Sequence, residues 1–136
     1  MMRFVPIPCR LDDLEKSYPL WAPFLPAISR RSKEPVPDLL AQIGRLELEL
    51  ALVWDENVAR ALLAIRYRQR GDETVAEIVW LTGKSMTDWR HLLPVLENYL
   101  KQRGCVEIKP ICRPGWAPFL KQNGYRTTHL MMEKRL

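Results

Sequence analysis

The residues that could do chemistry are few and scattered. The chain carries two histidines, His91 and His129, and three cysteines, Cys9, Cys105 and Cys112. Three cysteines close no disulfide framework, and none stands in a C-x-x-C pair. Two histidines leave a structural zinc site short of ligands, so reduced thiols and no metal are expected. His91, between Arg90 and Leu92 on a helix, reads as a surface residue. His129, alternating with Met131, reads as a structural one. Lys84 stands at the start of a helix, where Ser85 and Asp88 approximate a capping box. That box accounts for both residues without any ligand.

Charge narrows the partners only partly. The net charge of +5 is uneven: residues 84–136 hold ten Lys and Arg against four Asp and Glu, a net +6, which leaves −1 for residues 1–83. A basic half suits nucleic acid, the phosphates of a nucleotide cofactor, or an ordinary solvated surface. The cations are spread over several elements with no interleaved aromatics, which makes nucleic acid the disfavoured partner. No apolar run reaches the roughly 20 residues that span a bilayer, and the first residues lack the apolar core of a signal peptide. A soluble, cytoplasmic protein with no membrane partner is expected. At 136 residues with 47% hydrophobic content, a single domain over 1–136 is expected.

The elements that must position these residues can be read from periodicity. Arg3 to Cys9 is a candidate short edge strand. A helix is predicted from Leu11, with Asp12, Asp13 and Glu15 in its first turn, and Pro19, Pro23 and Pro26 are expected to break it into short pieces. Ser29 to Pro37 reads as a loop, and Pro37-Asp38 opens a second helix ending near Gly44. From Leu46 the period becomes two: Leu46, Leu48, Leu50, Leu52 and Trp54 alternate with Glu47 and Glu49, Asp55-Glu56-Asn57 turns, and Ala59 to Arg68 returns. Gly71-Asp72-Glu73 turns again into Val75 to Leu81, completing an antiparallel meander. Trp89, Leu92, Leu93, Leu96, Tyr99 and Leu100 make one apolar helical stripe stopped at Gly104. Val106 to Ile111 is a strand, Trp116 to Leu120 a short helix closed by Gly124, and Thr127 to Lys134 a last strand. Pro19–Leu25 and Pro114–Leu120 match at six of seven positions, an echo that suggests one local solution used twice.

This order of elements, with the text Leu92 to Gly104 as the long helix and Pro114 to Tyr125 as the late helix and its glycine turn, resembles the GNAT superfamily of N-acetyltransferases. The resemblance covers the last ninety residues well and the first forty-five loosely. It implies an α/β (α+β) fold: a mixed, mainly antiparallel sheet of about six strands flanked by about four helices. Residues 1–45 would be the variable acceptor-side helices and 46–136 the acyl-CoA core. It also implies acetyl-CoA or another acyl-CoA as co-substrate, an unknown amine as acceptor, and the possibility of a homodimer. The thioester arm would run beside Val79, Trp80 and Leu81, and the phosphates would meet the loop Thr82, Gly83, Lys84, Ser85, Met86 and Thr87. A helix start suits phosphate because its free N–H groups and dipole attract anions. The chain departs from the family pattern at three places in this loop: Thr82 replaces Gln or Arg, and Ser85 and Thr87 take the two small positions. The family's Tyr acid, four residues before the glycine, is Leu120 here. Candidate bases near the central strands are Glu77, Glu107 and His91.

Two functions follow. One is an acyl-CoA-dependent N-acyltransferase working by direct attack of an amine on the thioester. The other is a GNAT-like domain that has lost catalysis and serves as a binding or assembly module, similar to small proteins encoded by bacteriophages.

Overall fold

The alternation that begins near Leu46 becomes the centre of a five-stranded sheet. A computed structural model describes residues 2–83, 90–111, 116–129 and 131–136. Its strands are β1 (Met2–Pro6), β2 (Glu49–Asp55), β3 (Val58–Arg70), β4 (Glu73–Gly83) and β5 (Cys105–Pro110), adjacent in chain order. β1 to β4 pair antiparallel, and β4 and β5 pair parallel. β2 starts three residues later than its alternation suggests, because Leu46 takes a left-handed φ of 59° and ends the preceding helix. The β2–β3 turn places Glu56 (φ 45°) and Asn57 (φ 71°) both in the left-handed region. That is the hairpin geometry whose twist matches the strands it joins.

A parallel neighbour requires a crossover. The predicted stripe supplies it: a 3-10 turn (Arg90–Leu92) leads into α4 (Leu93–Gln102), with Leu92, Leu96 and Leu100 buried. Gly104, at φ 83°, stops it as expected. The capping pair Ser85 and Asp88 lies outside the described residues.

Before the meander come α1 (Leu11–Trp21), a 3-10 turn (Ala22–Phe24), α2 (Leu25–Ser32) and α3 (Val36–Gly44). Pro23 and Pro26 open new segments as expected, but Pro19 lies inside α1 without ending it. The last turn of α1 is exposed at Pro19, and Glu15, whose carbonyl loses its partner there, is exposed too, so water can replace the missing bond. α2 runs on through Ser32, into the predicted loop, until Lys33 turns left-handed at φ 63°. The sequence echo is structural as well: Trp21 and Trp116 are both N-caps, each followed by Ala and a Pro in the first turn.

Helices cover both faces. α1, α2 and α3 pack Trp21, Leu25, Ile28 and Leu39 against Leu50, Leu62 and Trp80. α4 packs Leu96 and Leu100 against Val53, Leu63, Ile65 and Ile78 on the other side. The architecture is the mixed α+β fold expected, with five strands among the described residues. α5 (Ala117–Gln122) buries Leu120, and Gly124 follows at φ 89°. The segment expected to add a last strand, Thr127 to Lys134, pairs with no strand among its described residues, which are exposed. A single extended segment gains little unless an edge or an apolar surface receives it. Here Met131 and Met132 remain 92% and 83% exposed. No helix among the described residues is long and apolar enough to cross a membrane.

Candidate functional site at the open flank of the fourth strand

The site is made by one extra residue. In the β3–β4 ladder Ala64 pairs with Trp80 and Ile65 with Ile78, so Val79 has no partner and forms a bulge. A bulge bends its strand and re-aims side chains. The effect is visible in packing: Ile78 belongs to the α4 face and Trp80, two residues on, to the opposite face. β5 accompanies β4 only from Thr74 to Ile78, and the last tie is the Ile111 N–H donating to the Ile78 carbonyl at 2.9 Å. Among the described residues, no strand pairs with β4 on that side from Val79 to Gly83. Alternate residues of an antiparallel ladder turn their N–H and C=O away from the neighbouring strand. Leu81 does so, since Arg31 Nη1 of α2 donates to its carbonyl at 3.2 Å.

Of the residues expected to hold an acyl donor, Val79, Trp80, Leu81, Thr82 and Gly83 lie consecutively on this flank. Trp80 and Thr82 are buried, so what they can offer a ligand is backbone. Gly83 has a separate reason to be glycine. A Cβ there would stand 2.6 Å from Ala61 Cβ and 2.9 Å from the Arg60 carbonyl oxygen. Lys84, Ser85, Met86 and Thr87 lie outside the described residues.

The candidate bases do not converge. Glu77 alternates with Ala76 and Ile78 and therefore faces away from α4; its Oε1 receives Arg66 Nε at 3.1 Å and Arg68 Nε at 3.0 Å. Glu107, on β5, pairs with Arg70 at 2.7 Å and Lys109 at 3.9 Å. The hydrogen bond from Arg70 holds its carboxyl below the usual range. His91 is exposed on the 3-10 turn before α4, on the other side of the sheet. Leu120 is buried, and Tyr125, after the turn, donates to Glu97 Oε2 at 2.6 Å. Burial, then that bond, push the Tyr125 hydroxyl well above its ordinary pKa.

The polar centre that sequence alone does not reveal is at the opposite end of the sheet. Glu49, 6% exposed, accepts from Tyr67 Oη at 2.6 Å, Tyr99 Oη at 3.0 Å and Arg103 Nη2 at 2.9 Å. The Arg103 guanidinium also lies over both rings, 5.6 Å from Tyr67 and 5.2 Å from Tyr99. This set ties the end of α4 to β2 and β3, below a shallow hollow lined by Tyr67, Thr74, Gln102 and Arg103. Nearby, burial raises the thiols of Cys9 and Cys105 above their ordinary pKa, which disfavours the thiolate form. Cys112 lies outside the described residues, among which no cluster of three or more His, Cys, Asp or Glu could hold a metal.

Burial, then the Glu49 charge, push the Tyr99 hydroxyl up to about 12. An unfolded tyrosine ionises near pH 10. Between those values the unfolded chain binds fewer protons than the folded one, so stability present below pH 10 should fall as pH rises toward 12. Urea midpoints at pH 9, 10 and 11 should show the decline, and Tyr99→Phe should flatten part of it. Equal slopes in both proteins would remove Tyr99 as the cause.

No protein-family model matches the sequence, and no curated protein matches it by sequence. Solved structures do match in shape. A predicted acetyltransferase from Clostridium acetobutylicum, solved with acetyl-CoA, superposes with a TM-score of 0.62 at 16% identity, covering 99% of this chain and 96% of that one. An aminoglycoside acetyltransferase from an uncultured soil metagenomic sample, solved with sisomicin, gives 0.64 at 13% identity, again over 99% and 96%. A transcriptional regulator from Bacillus halodurans C-125 gives 0.67 at 17% identity over the whole of both chains.

Proposed function

We propose, from the GNAT-type fold as premise, that this protein is an acyl-CoA-dependent N-acyltransferase that moves an acetyl group from acetyl-CoA to an amine. The observation that carries the reading is the flank of β4: a bulge at Val79, and a strand that outruns β5 from Val79 to Gly83. An extended pantetheine arm can pair with such a flank as an added strand does, through main-chain hydrogen bonds. A flank N–H near Val79 would then polarise the thioester carbonyl. The phosphates would fall to Thr82–Thr87, with Lys84 as their counter-charge. In the same proposal residues 1–45 shape the acceptor side.

The reaction is direct. The amine attacks the carbonyl carbon, the C–N bond forms, the C–S bond breaks, and the amine's proton goes to water. Glu77 and Glu107 are already engaged by guanidinium groups and His91 is exposed, so the contribution of the protein is positioning. Without an acid at Leu120 the thiolate leaves unprotonated, which slows turnover without abolishing it. A second reading, a binding or assembly module that has lost turnover, is favoured by the burial of that apolar residue where the family places its acid.

Calorimetry with acetyl-CoA at low salt tests the first step. Binding is expected, and Lys84→Ala should weaken it by about three- to tenfold, the range of one charge-assisted contact. No heat at millimolar acetyl-CoA would sink both donor binding and the enzyme reading. Binding without thiol release across a screen of amines, polyamines and peptides would favour the module.

A further inference from the structure

Among the described residues, the buried polar side chains are those of Glu49 and Thr82. Glu49 is answered by three donors. The Thr82 hydroxyl, on a residue 4% exposed, has no hydrogen-bond partner among the described residues. A buried hydroxyl left unpaired costs stability, and folded proteins seldom carry one without a reason. Valine, branched in the same way, would fit the strand without that cost.

The surroundings narrow where a partner can come from. The Thr82 side chain shares a face with Trp80, and its register partner on β3 is Leu62, both in the apolar cluster under α1 to α3. On the β3 side, therefore, the cross-strand neighbour is apolar. On the other side no strand pairs with β4 from Val79 to Gly83 among the described residues. From above, α2 contacts β4, and Arg31 ties its last turn to the Leu81 carbonyl, one residue from Thr82. That turn is a light cover: Arg30, Arg31 and Ser32 are exposed, whereas Leu25 and Ile28, a turn earlier, are buried. While the turn is in place, backbone is all that Thr82 presents to a ligand.

We propose that the Thr82 hydroxyl is a recognition group for the acyl donor, hydrogen-bonded to an amide of the donor's arm once the last turn of α2 gives way. This rests on the acyl-CoA reading above. An arm paired with the flank as an added strand lies about 4.8 Å from β4. A threonine hydroxyl reaches a neighbour across that spacing. An amide suits it, because a hydroxyl both donates and accepts. The Leu81 carbonyl is one of the outward groups such an arm would use, so pairing there competes with Arg31 and loosens the turn beside Thr82.

The test is calorimetry with acetyl-CoA on the wild type, Thr82→Val and Thr82→Ser, beside urea unfolding of the same three proteins. Thr82→Val keeps the branched shape and removes the hydroxyl. Its urea midpoint should equal or exceed that of the wild type, because the free protein loses no hydrogen bond. Its affinity for acetyl-CoA should fall about three- to tenfold, the worth of one hydrogen bond. Thr82→Ser, which keeps the hydroxyl, should retain most of the wild-type affinity. An equal loss for 3′-phosphorylated ADP, which lacks the arm, would give the hydroxyl to a phosphate and overturn its assignment to an amide. Unchanged acetyl-CoA affinity in Thr82→Val, or a lowered urea midpoint, overturns the inference and leaves the acyl-CoA reading standing. Absence of binding to the wild type overturns both.

Discussion

Glu49→Ala should lower stability by about 2–3 kcal/mol, the largest single effect expected of a polar residue in this protein. The carboxylate is 6% exposed and answers three donors: two tyrosine hydroxyls and the Arg103 guanidinium. Its removal leaves both hydroxyls without their acceptor and the Arg103 guanidinium without its carboxylate. The Arg103 side chain is 47% exposed and can hydrate, which keeps the cost below that of a wholly buried pair broken open. At about 3–4 °C per kcal/mol for a chain of this size, the melting temperature should drop by roughly 6–12 °C. Glu49→Gln, which keeps one acceptor oxygen and the shape, should cost about half as much. Thermal and urea unfolding followed by tryptophan fluorescence would read both. A drop under about 2 °C for Glu49→Ala would mean the three contacts contribute little net stability.

Gly83→Ala should damage binding more than folding. The new Cβ would meet Ala61 Cβ at 2.6 Å, the Arg60 carbonyl at 2.9 Å and Ala61 Cα at 3.1 Å. These are backbone atoms and the first atom of a side chain, so none can swing aside, and the end of β4 must move instead. Overpacking of this kind costs about 1–3 kcal/mol. The end of β4 is also where the chain enters the loop proposed to hold phosphate, and small misplacements in such sites have large effects. Acetyl-CoA affinity should fall about tenfold or more, measured at 25 °C where the variant remains folded. Gly83→Ala with Ala61→Gly, which removes the closest clash, should recover part of both losses. Wild-type affinity in the single variant would take the end of β4 out of the donor site.

How much of this was legible before the structure depends on the range of the interaction involved. The stripe Leu92, Leu96, Leu100 became the buried side of α4, and the two left-handed residues of the Glu56-Asn57 turn fall where the turn residues were. Both are decided within a few neighbouring residues. Pro19 defeated a local rule because a proline breaks a helix only where the lost bond goes unreplaced, and its exposure depends on how α1 docks. The final segment shows the converse: strand-like text forms no strand among its described residues without an edge beside it.

The candidate site divides in the same way. Sequence by itself determined the order of elements from β2 to α5 and the glycine stops at Gly104 and Gly124, because these follow from residue type and period, whereas the stretch proposed for a donor came from the family resemblance. Only the tertiary structure decided that Val79 is the bulged residue, since a bulge exists relative to the strand it fails to match. It also decided that Glu49 is buried. In a run that alternates Leu and Glu, a glutamate reads as facing water, but with helices on both faces alternation no longer separates inside from outside. The partners that make its burial tolerable stand 18 and 50 residues away at Tyr67 and Tyr99. Charge satisfaction over that separation is a property of the folded chain, and no window of sequence contains it.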